Sequence, residues 1–184
     1  MLRTLLKFSG LICQLMGAIL VLVSPARHPP HRAASRGNLV LRLWRQYARQ
    51  CQWRGMYPHE WRPGRVQGYR LRFNLEGPPR GKAKYANLCA DPAAEVWGVL
   101  YKITRRDLVR LDATEGVPWW RYRPLWLDAE DISGTALQAV AYIAQGDEDD
   151  RNPSLRYLTL QEGARAHGLP EHYIRFLEQV EHAR

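Results

Sequence analysis

The chain has 184 residues, of which 46% are hydrophobic, and a formal net charge of +9. This length and apolar content fit one globular domain with a core. The charge is uneven: residues 1–65 hold 11 Lys and Arg against one acid, Glu60, and the rest is near neutral. The near-neutral part argues against a nucleic-acid-binding or lipid-binding domain, and three widely spaced cysteines exclude a disulfide framework and a zinc site.

The N-terminal segment begins with an apolar run at residues 8–23. Sixteen residues fall short of the ~20 that a membrane-spanning helix needs. The run also fits a signal peptide with Ser24-Pro25-Ala26 as its cleavage site, or an unstructured start. We expect residues 1–38 to be a disordered leader with a Pro-rich linker, and the protein to be cytoplasmic. The alternative is a protein that is anchored in a membrane or exported by means of residues 1–26. Contact with a membrane is expected only through residues 8–23.

The next segment moves from no clear pattern to clear strands. Residues 39–54 are rich in Arg and Trp and show neither helical nor strand periodicity. Val66–Leu75 alternates between polar and apolar residues, which predicts a strand. Residues 77–81 predict a turn after this strand. Asp91-Pro92 predict another turn before a second strand, Glu95–Ile103.

A helix is predicted after this strand. Thr104 has Asp107 three residues later, the spacing of a capping box, so Thr104 is expected to cap the helix. The helix should run to about Thr114 and stop at Gly116.

The remaining elements are two strands followed by two helices. Tyr122–Asp128 and Ala136–Ala144 are rich in β-forming residues. After an acidic loop, residues 145–153, a helix should run from Ser154 to His167, and Pro170 should open the last helix. We expect the last helix to bury one face, formed by Tyr173, Phe176, Leu177 and Val180. Strands first and helices last predict an α+β fold over residues 39–184, with residues 39–53 divergent.

One acidic residue stands out among these elements. Glu115 ends the predicted helix in Leu111-Asp112-Ala113-Thr114-Glu115-Gly116, after the apolar strand Glu95–Ile103. A carboxylate near a helix C-terminus meets partial negative charge, which disfavours its ionised form and makes it a stronger base. A lone Glu before Gly is nevertheless most often a solvated helix-end residue.

Several spaced motifs over residues 54–181 together resemble the γ-glutamylcyclotransferase family. They include Gly68-Tyr69-Arg70, Ala86-Asn87, Val96-Trp97-Gly98 and the segment that ends in Glu115-Gly116. The resemblance implies a small mixed β-barrel flanked by helices. It also implies an enzyme, of the C–N lyase or acyltransferase type, that releases 5-oxoproline from small γ-glutamyl substrates without a cofactor or metal.

The same resemblance implies site residues. Glu115 matches the catalytic glutamate, which acts as general acid and base. Tyr122, Tyr142 and Tyr157 match tyrosines that line the substrate site. The alternative reading is that these tyrosines are ordinary half-buried aromatic residues of strands and helices. We do not expect nucleic acid to be a partner, because no recognisable binding motif accompanies the Arg- and Trp-rich segment.

One family feature is missing from the sequence. The family's first strand ends in a glycine loop, Y-G-S-N or Y-G-A-N, whose amides stabilise the oxyanion, and residues 40–47 contain no glycine. One hypothesis is that residues up to about 53 are translated in a shifted reading frame. Possible codons for residues 40–47, read one base earlier, can encode Y-F-G-Y-G-A-(S/N)-M, which matches the missing loop. A genuine divergent extension is the other. Activity of the sequence as printed is therefore in doubt, and the alternative function is an inactive small-molecule-binding relative that lost its oxyanion loop.

Overall fold

The computed structural model describes residues 38–42, 58, 60–76, 84–149, 152–153 and 158–181. For residues 38–42 only the backbone is described. The predicted leader, most of the linker and the Trp-rich part of the basic segment lie outside these ranges, so their predictions stand as made.

Five strands form the sheet, and their bounds are β1 Asn38–Arg42, β2 Glu60–Glu76, β3 Lys84–Ile103, β4 Arg123–Asp131 and β5 Ala136–Ile143. Their order is β1-β3-β2-β4-β5, and β1 returns to β5 to close a barrel. That closure is narrow, because β1 and β5 pair in parallel only at Val40 and Val140. The four other strands form a curved antiparallel sheet. The predicted α+β class is confirmed, while the barrel is held at one seam by a single residue pair.

Strand β1 corrects one prediction from the sequence. Residues 39–54 were expected to lack a regular element, yet Asn38–Arg42 pairs antiparallel with β3, from Asn38 opposite Ile103 to Arg42 opposite Val99. Five residues are too few to show a strand period when basic residues follow directly. Pairing with the long β3 strand, a tertiary effect, decides this conformation.

The hairpin β2–β3 is longer than predicted, and its pairing register shifts at two places, between Gln67 and Tyr69 and between Phe73 and Leu75. The predicted turn at Asp91-Pro92 lies inside β3, which was expected to start only at Glu95. The prediction that this turn marks the boundary of a strand was wrong. The side-chain hydrogen bond typical of such a turn is nevertheless present. Asp91 Oδ1 accepts the Ala93 N–H at 3.1 Å, and the pairing register shifts there, opposite Gly68. The local turn is therefore absorbed as a bulge in a continuous strand.

Three α-helices follow β3 and β5: α1 Arg105–Glu115, α2 Leu158–Ala166 and α3 Glu171–Glu178. The predicted cap of α1 is confirmed. Thr104 Oγ1 accepts the Asp107 N–H at 3.1 Å and lies 2.7 Å from Asp107 Oδ2, which accepts its hydroxyl hydrogen. Helix α2 is described only from Leu158, so the predicted cap at Ser154 lies outside the described residues.

The core lies inside the sheet and beneath the helices. The largest fully buried side chains come from β2, β3, α1 and β5, and they are Val66, Leu100, Ile103, Leu111 and Tyr142. Helix α3 buries Tyr173, Ile174 and Leu177, whereas Phe176 is 43% exposed. The expected buried face of α3 was therefore wrong at Phe176, because Ile174 occupies the inward position instead.

A candidate acid–base site at the end of helix α1

Glu115 lies at the C-terminal end of α1 and is buried, with 3% of its surface exposed. Gly116 ends the helix in the left-handed conformation (φ 74°), and its N–H is directed at the carbonyls of Ala113 and Asp112. Glycine adopts this conformation without the steric cost that a Cβ brings. The cap therefore stops the helix directly after Glu115 and holds that carboxyl group in the protein, rather than on a solvated helix end.

Asp112 stands one helical turn before Glu115, so both side chains lie on the same side of α1. The Tyr142 hydroxyl of β5 donates a short hydrogen bond to Asp112 Oδ1. Burial raises the pKa of the Asp112 carboxyl, and the hydrogen bond from Tyr142 lowers it to a smaller extent. The side of α1 that carries Asp112 and Glu115 is thus hydrogen-bonded to β5 through a carboxyl group that is partly shielded from water.

Sequence reasoning missed Asp112 as a site residue. Its signal was present in the spacing of two carboxylates three residues apart in L-D-x-x-E-G, which places both on one helix face. Tyr142 was expected to line the substrate site. The structure brings it to the same helix face as Glu115 through its bond to Asp112.

A tight turn joins Glu115 to Tyr122. The N–H groups of Trp119 and Arg121 both donate to the Gly116 carbonyl, at 3.0 and 3.1 Å. Trp120 adopts a left-handed conformation (φ 57°) and is 93% exposed. A bulky residue in this region is an outlier that the surrounding bonds must hold in place. These hydrogen bonds therefore fix the path of the backbone from Glu115 to Tyr122.

Two predicted site residues remain, Tyr122, which the structure describes, and Tyr157, which it does not. Tyr122 is half-buried and packs against both hydrophobic clusters, the main core and a smaller one that contains Phe73 and Tyr85. Its predicted role at the substrate site remains a prediction. Tyr157 lies outside the described residues, so its predicted role remains a prediction.

The described part of the chain offers neither a cluster of metal ligands nor a helix that could span a membrane. Within it, no three His, Cys, Asp or Glu side chains are grouped closely enough to hold a metal ion. Within the same ranges, no helix has the length and apolar character needed to span a membrane.

Comparison with known proteins places this site in a family. A model of the AIG2-like family matches residues 95–177, a range that includes Glu115, Tyr122 and Tyr142. Residues 95–177 are thus similar to the AIG2-like family. The resemblance found in the sequence is confirmed at this level.

Relatives of this chain carry the name γ-glutamylcyclotransferase. The Bos taurus γ-glutamylcyclotransferase is 30% identical over 124 residues, which are 64% of each protein. The Homo sapiens protein of the same name is 29% identical over 124 residues, again 64% of each. This chain thus matches somewhat less than two thirds of the length of these relatives.

Solved structures support the fold described above. A γ-glutamyl cyclotransferase structure is 24% identical, with a TM-score of 0.59 over 66% of this chain and 73% of that one. The Bacillus subtilis protein YkqA is 19% identical, with a TM-score of 0.63 over 96% of this chain and 60% of that one. At these identities the likeness is one of fold.

Proposed function

We propose that this protein is a γ-glutamylcyclotransferase-type enzyme that releases 5-oxoproline from small γ-glutamyl substrates, with Glu115 as general acid and base. The observation that carries the proposal is the burial of Glu115 (3% exposed) directly before a left-handed glycine. A carboxyl group of an ordinary solvated helix end would not be enclosed in this way. The relatives named γ-glutamylcyclotransferase support the choice of reaction.

The reaction makes clear demands on the protein. The α-amine of the substrate must attack its own γ-carbonyl carbon, and this amine is mostly an ammonium group at neutral pH. Glu115 takes a proton from the ammonium group, so that the nitrogen lone pair is free to attack. A C–N bond forms in the five-membered ring, the bond to the leaving amine breaks, and Glu115 returns the proton to that amine. The ring nitrogen also loses its second proton, and the released amine takes up one more proton to become an ammonium group.

The surroundings of Glu115 fit this cycle. Its carboxyl group is enclosed by the protein, with 3% of the residue exposed, so it is largely shielded from water that would compete with the ammonium group of the substrate. Asp112 and Tyr142, one turn away, hold α1 against β5 and so fix the position of Glu115.

The test is release of 5-oxoproline from a panel of γ-glutamyl dipeptides by the full chain. Glu115→Gln keeps the size of the side chain but cannot accept the proton, so it should abolish release. Glu171→Gln is a matched control, because Glu171 is an exposed residue at the start of α3. Release that survives in Glu115→Gln at the rate of the control would refute the role of Glu115.

The alternative is an inactive small-molecule-binding relative. It is favoured by one observation, the absence of glycine from residues 40–47, where the family has its oxyanion loop. Binding of a γ-glutamyl dipeptide without release of 5-oxoproline, also after the loop is restored, would support this alternative.

A further inference from the structure

Two tryptophan side chains project into solvent from the turn that follows Glu115. Trp119 is 72% exposed and Trp120 is 93% exposed. Tryptophan is highly buried on average, so two neighbouring indole rings in solvent are an unusual arrangement. A residue with so much of its surface exposed packs against almost nothing and adds little to the stability of the core. We call residues 116–121 the tryptophan turn.

The backbone of the tryptophan turn is fixed by hydrogen bonds and strained at Trp120. The φ of Trp120 is 57°, a left-handed value that glycine adopts easily and a bulky residue does not. The Trp120 N–H donates to the Val117 carbonyl at 3.1 Å, next to the two bonds on the Gly116 carbonyl described above. Backbone strain of this kind is concentrated at functional sites, where surrounding bonds hold it. The strain at Trp120 therefore calls for a role of its side chain outside the core.

The charges exposed around the tryptophan turn are all positive. Residues 104–127 are described without a gap, and their exposed charged side chains are all arginines, namely Arg105, Arg106, Arg121 and Arg123. None of the acidic residues of this range is exposed, and they are Asp107, Asp112 and Glu115. The next exposed acid along the chain is Asp128. The near-neutral net charge of residues 66–184 therefore hides a local separation of charge.

Strand β4 extends the exposed apolar surface of the turn. Pro124 is exposed and lies opposite Tyr142. Two residues further on, Trp126 is 47% exposed and lies opposite Val140. Opposite residues, and residues two apart on one strand, share a face of the sheet. Because Tyr142 contacts Asp112 of α1, Trp126 lies on the face of the sheet that α1 covers. The tryptophan turn and Trp126 therefore border the same helix.

The outward side of α1 has the same character as the turn. The buried residues of the helix are four residues apart and form its inner side, and they are Asp107, Leu111 and Glu115. The exposed residues of the helix are basic or apolar, and they are Arg105, Arg106, Val109 and Ala113. Val109 is 62% exposed. The exposed surface is thus made of basic and apolar groups from the start of α1 to Trp126.

Three kinds of partner have the chemistry for such a surface: a second copy of the chain, a nucleic acid and an anionic membrane. A two-fold contact centred on the turn would bring Arg121 of one copy near Arg121 of the other, and like charges repel. Single-stranded nucleic acid lies in a groove whose aromatic side chains stack on the bases, whereas Trp120 at 93% exposure lines no groove. The surface of an anionic bilayer fits both features, because indole rings settle at the headgroup level and arginine is attracted to acidic lipids.

We propose that the tryptophan turn docks this protein on the surface of an anionic membrane. Trp119 and Trp120 enter the headgroup level, and Arg121 and the arginines of α1 face the acidic lipids. The contact is peripheral, and it adds to the contact that the sequence predicts through residues 8–23. It does not rest on the proposed function, because docking requires no turnover.

Co-sedimentation of the full chain with lipid vesicles tests the proposal. We expect binding to phosphatidylcholine vesicles that contain about 30% phosphatidylserine, and at least ~10-fold weaker binding to pure phosphatidylcholine vesicles. Binding to the anionic vesicles should also weaken at least ~10-fold between about 0.1 and 1 M salt, because salt screens charges at a surface. No binding to the anionic vesicles, or equal binding to both kinds, would overturn the proposal.

Variants locate the contact on the turn. The double variant Trp119→Ser, Trp120→Asn keeps the backbone, because asparagine tolerates a left-handed conformation, and it should bind anionic vesicles at least ~10-fold more weakly. Ile132→Ser is the matched control, since Ile132 is a 59% exposed apolar residue just after the far end of β4. It should bind as the unsubstituted chain does. Equal binding of the double variant and the control would place the contact elsewhere, such as residues 8–23, and would overturn the proposal.

A second pair of variants tests the charge. Arg121→Gln should weaken binding to the anionic vesicles about fivefold, because each arginine near an acidic surface contributes about that factor. Arg175→Gln, an exposed arginine of α3, should leave binding unchanged. This pair decides the matter if the double tryptophan variant does not fold. Equal effects of the two arginine variants would refute a contact through the turn.

The same double variant distinguishes the other two partners. Fluorescence anisotropy with a labelled single-stranded DNA reports nucleic acid, and sedimentation velocity without lipid reports a second copy. We expect the unsubstituted chain and the double variant to behave alike in both measurements. DNA binding or self-association that the double variant abolishes, without binding to vesicles, would assign the turn to that partner and overturn the proposal.

Discussion

The Tyr142 hydroxyl donates to Asp112, and this bond joins strand β5 to the helix that ends in Glu115. Tyr142 is almost fully buried, with 1% of its surface exposed. Tyr142→Phe removes the donor and little else. We expect a loss of about 1–3 kcal/mol in the free energy of unfolding, because the Asp112 carboxyl loses its partner. Urea denaturation measures this, and a variant as stable as the unsubstituted chain would show that the bond contributes nothing.

Asp112 should also give the stability a distinctive pH dependence. Burial raises its pKa in the folded state, so the folded protein holds this proton more tightly than the unfolded chain. The free energy of unfolding therefore falls as pH rises from the ordinary pKa of 3.8 through the raised folded pKa.

Asp112→Asn should remove that fall and keep an oxygen for the Tyr142 hydroxyl. We expect the variant to lose less stability than the unsubstituted chain across this pH range, measured by urea denaturation. Asp128→Asn is the control, since Asp128 is exposed on β4. Parallel curves for Asp112→Asn and the unsubstituted chain would contradict the assignment.

Asp131 should behave in the opposite sense. Hydrogen bonds from the Ser133 hydroxyl, Arg62 and the N–H groups of Ser133 and Thr135 lower its pKa to about 2, against the opposing effect of burial. Its contribution is present above pH 3.8 and is lost as pH falls through about 2. Asp131→Asn should cost about 1–3 kcal/mol at neutral pH. A cost that persists undiminished at pH 2 would show that the charge of Asp131 is not the cause.

The boundary of the folded domain can be tested by truncation. β1 begins at Asn38 and pairs with β3 along all five of its residues. Deletion of residues 1–37 should leave the unfolding transition in place and improve solubility, because the apolar run 8–23 belongs to no amphipathic element. Deletion of residues 1–42 should destabilise the domain, because β3 loses its β1 partner. Equal stability of the two truncated chains would show that β1 is dispensable.

The elements that the sequence predicted well carry local signals. Thr104 with Asp107, and Gly116 after Glu115, set the bounds of α1 through caps that involve only neighbouring residues. Asn38–Arg42 and the continuous β3 strand depend on pairing with distant residues, and no local pattern announces them. The bond between Tyr142 and Asp112 joins residues 30 apart, so only the fold brings it about.

Residues 40–47, the first three of which belong to strand β1, are the next target. Residues 40–47 contain no glycine, so close approach of their backbone to a substrate carbonyl is hindered. Replacement of residues 40–47 by Y-F-G-Y-G-A-N-M, in a chain that lacks residues 1–37, should raise 5-oxoproline release by at least ~10²-fold, because each oxyanion donor contributes a large share of such a rate. A parent chain that already equals this variant would show that other donors replace the loop.

The central claim is that Glu115 is the general acid and base. The most direct test is the turnover rate of the loop-restored chain on a γ-glutamyl dipeptide, measured as 5-oxoproline with and without Glu115→Gln, with folding checked by circular dichroism. The account predicts a loss of about 10²–10⁴-fold in the Gln variant. A folded Gln variant that keeps more than about a tenth of the rate would contradict it.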